Sequence, residues 1–191
     1  MTYDILISVD IGLRGAIAFF ETEEKDHPSG GLLSIHPMPV MPSGKFYKSG
    51  DDKPMLDLDK LLFLMERPHE HGDRAIVVYE NIHAFKNQGV VSVGTFLEEK
   101  GIIRGLTKAL GYDEVSISPR TWQSHFEMIP PKDLKGKSTS QTKTLRKKWL
   151  KKTSVSLAKY NFPEWADKIV SDGLSDTILL GKYWLDTQQG N

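Results

Sequence analysis

Short apolar runs separated by turn residues dominate the first part of the chain. The run from Ile5 to Val9 predicts a strand that ends at Asp10, and Gly12 marks the turn before a second strand over 15–20. A third apolar run, over 30–40, predicts another strand of the same sheet. The pattern therefore begins with three consecutive β-strands.

The rest of the chain alternates helical and extended patterns. The run over 74–80 is almost continuously apolar, which predicts a central strand covered on both faces and ending at Glu80. The other predicted elements are a loop over 38–53, helices over 56–67, 90–111 and 141–160, a strand over 114–119 and a last helix from near Ile169. Gly101 and Gly105 interrupt the second of these helices, and we expect them to permit a close helix contact. This order predicts an α/β fold built on a mixed sheet of five strands.

Length and composition limit the classes of protein that the chain can represent. With 191 residues we expect one domain over 1–191. The absence of cysteine excludes disulfides, thiolate zinc sites and a cysteine nucleophile. No apolar run approaches the length of a membrane span and no signal-peptide pattern opens the chain, so we expect a soluble, intracellular protein.

Charge is distributed unevenly along the sequence. The formal net charge is zero, but the segment 132–152 carries nine Lys or Arg residues and one acid, Asp133. Such a segment is either a solvated helix face or a phosphate-binding surface. The basic segment keeps nucleic acid among the candidate partners.

Four acids occupy positions where α/β proteins commonly place their chemistry. Asp10 and Glu80 each end a predicted strand, while Asp172 and Asp176 lie four residues apart near the start of the last helix and so share one helical face. Buried together, four carboxylates require a compensating cation, and their oxygens favour Mg²⁺ or Mn²⁺. Two such ions can promote hydrolysis of a phosphodiester.

Each acid also has an ordinary structural explanation when taken alone. Asp10 could form a turn, Glu80 could end an edge strand, and Asp172 could favour a helix N-terminus. The Asp-x-Gly at Asp10 is also typical of sugar kinases and actin-like ATPases, but these need two domains to enclose ATP. The histidines show no metal-ligand spacing, and Trp122 and Trp149 are expected in packing roles.

Three stretches in this order resemble RuvC-type Holliday-junction resolvases of the RNase H-like superfamily, especially small resolvase-like proteins of phages. They are ISVDIGLRGAIAFF, AIVVYENIHAF and SDGLSDTILLGKYW, with PRTW and KKTSVSLAKYNFP between the last two. The resemblance spans most of the chain. It implies a three-layer RNase H-like fold, a homodimer and Mg²⁺-dependent paired nicking of four-way DNA junctions.

The resemblance also assigns roles to particular residues. Asp10, Glu80, Asp172 and Asp176 match the metal-binding acids, which would hold two Mg²⁺ ions, with Mn²⁺ as a possible substitute. Lys151, or its neighbour Lys152, matches the basic residue that contacts the scissile phosphate. Either His83 or Phe85 would reach into the junction centre. The expected DNA-binding residues are His83, Phe85, Lys86, Lys143, Arg146, Lys147, Lys148, Lys151 and Lys152.

Several functions remain open from the sequence. A nuclease with another branched substrate, such as a flap, would use the same acids. A junction-binding protein that does not cut would gain by losing acids that repel DNA. An RNA-strand nuclease would need a contact to the 2′-hydroxyl, and no residue identifies one.

Overall fold

A mixed β-sheet lies at the centre of the protein. The structure is a computed structural model that describes residues 3–23, 31–46, 50–81, 90–136 and 138–188. Its strands are β1 (Ile5–Asp10), β2 (Ala16–Glu21), β3 (Leu32–Pro37), β4 (Val40–Phe46), β5 (Asp52–Leu56), β6 (Ala75–Glu80) and β7 (Asp113–Ile117). Five of them form one sheet in the order β3-β2-β1-β6-β7, and β4 pairs with β5 separately.

The direction of pairing changes at β1. β1 pairs antiparallel with β2 across the short turn between them, and β2 pairs antiparallel with β3. β1 and β6 are parallel, and so are β6 and β7. The central position predicted for β6 is confirmed, because Ala75 to Tyr79 are all buried.

Helices cover both faces of the sheet. They are α1 (Leu58–Met65), α2 (Arg67–Glu70), α3 (Val90–Ala109), α4 (Pro119–His125), α5 (Thr139–Asn161) and α6 (Asp172–Gln188), with a 3₁₀ turn over Pro163–Trp165. In the described part of the chain, none of these helices is both long enough and apolar enough to cross a membrane.

Alternation along the strands divides the core into two halves. On β1, Leu6 belongs to the cluster beneath α5 and α6, whereas Ile7 and Val9 belong to the cluster beneath α1 and α3. The predicted α/β fold, with a five-stranded mixed sheet between layers of helices, is confirmed. This is the three-layer arrangement that the resemblance implies.

The structure corrects three details of the predicted pattern. The predicted loop over 38–53 contains β4 and the beginning of β5, a hairpin whose register places Pro42 opposite Pro54. Within sheets, proline is largely confined to edge strands and bulges. The prolines in this segment therefore led to the prediction of a loop where the structure has an isolated two-stranded pair. The last helix begins at Asp172, later than the predicted start near Ile169.

The third correction concerns the glycines of α3. A Cβ built on Gly101 or Gly105 meets no described atom within 4 Å. The expected close helix contact at these glycines is therefore absent from the described part of the chain.

Candidate active site

Two adjacent parallel strands bring the first two acids to the same sheet edge. β1 and β6 run in parallel with Val9 paired to Tyr79, so Asp10 and Glu80 are the next residues along each strand. Asp10 lies two residues after Ser8, whose hydroxyl donates to the Thr177 carbonyl of α6 at 2.7 Å. Because side chains alternate along a strand, Asp10 shares this face with Ser8. Glu80 likewise follows Val78 by two residues, and Val78 belongs to the core cluster beneath α6, so both acids end strands on the α6 side of the sheet.

A close approach of α6 to the β1–β2 turn brings the other two acids to this edge. A Cβ built on Gly173 would lie 2.3 Å from the Arg14 carbonyl oxygen, so only glycine fits there without displacement. Leu174, Ile178 and Leu179 are buried and hold α6 on the sheet, as predicted. Asp172, the first residue of α6, and Asp176, one turn later, are thereby held beside the strand ends.

Each of three acids has one oxygen engaged by a side chain from α4 or α5. The indole N–H of Trp122 donates to Glu80 Oε1 at 2.6 Å. The Ser154 hydroxyl donates to Asp176 Oδ1, and the Lys151 ammonium pairs with Asp172 Oδ2. These contacts connect both helices to the acids.

Burial and mutual repulsion raise the pKa of three of the four acids, Asp10, Glu80 and Asp176. The pKa of Asp10 lies well above its ordinary value, first because of burial and then because of the charges of Glu80, Asp176 and Asp172, with Lys151 acting in the opposite direction. Burial raises the pKa of Glu80 to about 7, against the Trp122 hydrogen bond. Burial likewise raises the pKa of Asp176 to about 6, against the Ser154 hydrogen bond. The ammonium of Lys151 therefore does not offset the negative charge of the cluster.

The excess of negative charge in this cluster is the observation that tests the predicted metal site. The four acids provide only hard oxygen donors, and a divalent cation would relieve both the burial cost and the repulsion, so the donor set fits Mg²⁺. Among the described residues, however, no three His, Cys, Asp or Glu side chains converge closely enough to ligate one ion. The structure thus defines an electrostatically coupled acidic cluster. Its carboxylates must move closer to one another before they can ligate one cation.

The raised pKa values predict that neutralising Glu80 stabilises the metal-free protein. A raised native pKa imposes no penalty below pH 4.5, and the penalty grows as the pH rises through the interval from 4.5 to about 7. Its full size is up to about 3 kcal/mol. In EDTA, E80Q should therefore unfold at a higher temperature than the wild type at about pH 8, and the difference should shrink towards about pH 4.5.

Differential scanning calorimetry across that pH range measures this effect. E164Q, which neutralises an exposed carboxyl, is the matched control and should show no comparable pH-dependent gain. Equal melting temperatures for E80Q and the wild type at the alkaline end would contradict the electrostatic description of the cluster.

Helix α5 presents a basic surface that adjoins the acids. It carries seven Lys or Arg residues and no acid over 139–161. The six that the sequence predicted as DNA-binding are all exposed: Lys143, Arg146, Lys147, Lys148, Lys151 and Lys152. Of the two candidates for the phosphate contact, Lys151 is the one that pairs with an acid of the cluster.

The described residues do not include every predicted site residue. His83, Phe85 and Lys86, the predicted junction-reaching segment, lie outside them. Trp122 is fully buried, which confirms its expected packing role, and Trp149 is half-buried. The sequence did not reveal the contacts of Trp122 and Ser154 to the acids, although the need of a buried indole N–H for a partner is a general signal.

Comparisons with known proteins give structural likenesses but no match of sequence. No family profile and no curated protein sequence matches the chain. The structure is similar to that of T. thermophilus RuvC in complex with a Holliday junction substrate, with a TM-score of 0.45, 9% identity, and coverage of 97% of this chain and 96% of that chain. Thermus thermophilus RuvC in another structure gives a TM-score of 0.44 and 10% identity over the same shares. At such TM-scores and identities, neither likeness informs on the chemistry of this chain.

Proposed function

We propose that this protein is a Mg²⁺-dependent, structure-specific DNA endonuclease that resolves four-way junctions by hydrolysing phosphodiester bonds. The observation that carries the proposal is the clustering of Asp10, Glu80, Asp172 and Asp176 beside the basic surface of α5. A cluster of carboxylates alone would repel DNA, whereas one that holds cations next to a phosphate-binding helix can act on the DNA backbone.

The four acids would hold the ions. Bound there, two Mg²⁺ ions would supply an activated water and stabilise the charge on the departing oxygen. The deprotonated carboxylates would bind the cations and fix their positions. The sheet and α6 hold these carboxylates at one edge of the sheet. Because burial raises the pKa values of Glu80 and Asp176, cation binding must displace protons from these two acids near neutral pH.

Lys151 would bind the phosphate that is cut. In the structure its ammonium pairs with Asp172, and its side chain is 47% exposed, so it can reach both the acids and a ligand in solvent. If a phosphate were bound between Lys151 and the acids, the Lys151 ammonium would contact a phosphate oxygen in place of part of its contact with Asp172. Lys151 would thus position the scissile phosphate and stabilise the charge that develops on it.

The remaining basic residues of α5 would hold the DNA backbone. Five further basic residues are exposed along α5, before and after Lys151 in the sequence: Lys143, Arg146, Lys147, Lys148 and Lys152. Lys and Arg that neutralise phosphates release counterions, so junction affinity should fall steeply with salt. His83, Phe85 and Lys86 complete the proposed DNA contacts, with His83 or Phe85 at the junction centre.

A homodimer completes the proposal. A four-way junction with two-fold symmetry offers two equivalent strands, and a two-fold dimer would present two equivalent sites to them. Helix α3 is our candidate for part of the interface, since Leu97 is 53% exposed on it and Gly101 and Gly105 are open. Light scattering at micromolar concentration would contradict the dimer if the protein stays monomeric with and without DNA.

A cleavage panel tests the proposed reaction. Four-way junctions, flaps, three-way forks and linear duplexes of the same sequence are incubated with Mg²⁺, with Mn²⁺ or with EDTA, and nicks are mapped on each strand. We expect paired symmetrical nicks across the four-way junction with either metal and none in EDTA. Preference for flaps would assign another branched substrate, and binding without cleavage would identify a junction-binding protein; either result overturns the proposal.

A further inference from the structure

Two buried hydrogen-bond donors hold individual oxygens of the acidic cluster. Trp122 is fully buried in α4, and its N–H has Glu80 Oε1 as acceptor at 2.6 Å. Ser154 is 1% exposed in α5, and its hydroxyl contacts both Asp176 Oδ1 and Ser175 Oγ. Each donor lies on a different helix, and each contacts a different acid.

The serine's single proton can serve only one of its two neighbours. The Ser175 hydroxyl is itself directed to the Asp172 carbonyl at 3.0 Å, so its oxygen can accept but its proton is used. Between the Ser175 hydroxyl and the Asp176 carboxylate, the ionised group is the stronger acceptor. The Ser154 proton therefore belongs to Asp176 Oδ1, which leaves no proton for a hydrogen bond between the two serines.

The sheet register explains why the indole meets Glu80. Glu80 pairs with Ile117, the last residue of β7, and α4 begins two residues later at Pro119. Ser118 caps α4, because its side chain accepts from the Thr121 amide, and this fixes the first turn that carries Trp122. The donor is thus held to the carboxylate through two rigid elements.

We propose that Trp122 and Ser154 are positioning residues for the cation site, an inference that rests on the proposed function. Each donor fixes one oxygen of its carboxylate, so that the second oxygen faces the site as the ligand atom. In the described part of the chain, Trp122 is the side chain that hydrogen-bonds Glu80, and Ser154 is the one that hydrogen-bonds Asp176. Partners of this kind commonly change metal affinity by about 10- to 100-fold.

Metal binding without DNA provides the test. Mn²⁺ affinity is measured by isothermal titration calorimetry for the wild type, W122F and S154A. We expect about 10-fold weaker binding or more for each variant, with junction binding in EDTA unchanged. The controls are W184F, an indole-to-phenyl change at another buried tryptophan of the same core, and S156A, a hydroxyl removal at an exposed site of α5; both should bind Mn²⁺ like the wild type.

A double-mutant cycle separates positioning from a general effect on packing. If Trp122 acts through Glu80, then adding W122F to E80Q should cost much less Mn²⁺ affinity than adding it to the wild type. Wild-type affinity in folded W122F and S154A, or an equal loss from W122F in both backgrounds, would overturn the positioning roles while leaving the nuclease proposal intact. Failure of the wild type to bind Mn²⁺ would instead refute the proposed metal site itself.

Discussion

D10N should lose junction nicking by at least about 10³-fold while the protein becomes more stable. Asp10 is the acid on which the other three act together, since the charges of Glu80, Asp176 and Asp172 all raise its pKa. Asparagine keeps the shape of the side chain but removes the charge that would bind a cation. The same change removes a partly buried charge from a repulsive cluster, so the melting temperature in EDTA should rise.

The combination of higher stability and lost activity makes this variant informative. An inactive protein that melts earlier than the wild type could simply be misfolded, whereas D10N is expected to melt later. Junction affinity in EDTA, measured by fluorescence anisotropy, should be equal or tighter because one charge that repels phosphate has gone. D167N, an exposed Asp-to-Asn change outside the cluster, should match the wild type in all three measurements. Full nicking by D10N would refute the assignment of this acid.

The sequence was sufficient to predict that the four acids lie near one another, because their positions at strand ends and on one helical face depend on local periodicity. Strands with continuous apolar runs place their last residues at a common sheet edge when they are parallel, which is how Asp10 and Glu80 become neighbours. The spacing of Asp172 and Asp176 places them on one helical face whatever the exact start of α6. These features require only the element types and their order.

The contacts that organise the acids were not predictable in the same way. Whether the Trp122 N–H meets Glu80 depends on the position of α4 after β7, and whether Ser154 meets Asp176 depends on the rotation of α5 against α6. No periodicity in one segment encodes the distance to another. The β4–β5 hairpin escaped prediction for a related reason, because its proline-containing strands pair only with each other.

K151A should reduce nicking by about 10²- to 10³-fold and shift its pH dependence to more alkaline values. The positive charge of Lys151 lowers the pKa of both Asp10 and Asp176, so its removal raises them further above their ordinary values. An acid with a higher pKa loses its proton, and so becomes able to bind a cation, only at higher pH. The acid limb of the profile of nicking rate against pH should therefore move upwards in K151A.

K148A provides the contrast that separates the two proposed roles of α5. Lys148 is exposed on the same helix, and the structure shows no ion pair between it and the described acids. Its loss should weaken junction binding and reduce the salt dependence of binding by about one phosphate contact, with the pH profile unchanged. K151R, which keeps the charge, should retain the wild-type pH profile even where its geometry slows nicking. If the profile of nicking rate against pH is the same in K151A as in the wild type, Lys151 acts only as one more phosphate contact. Removing a charge that lowers the pKa values of the acids would necessarily shift that profile.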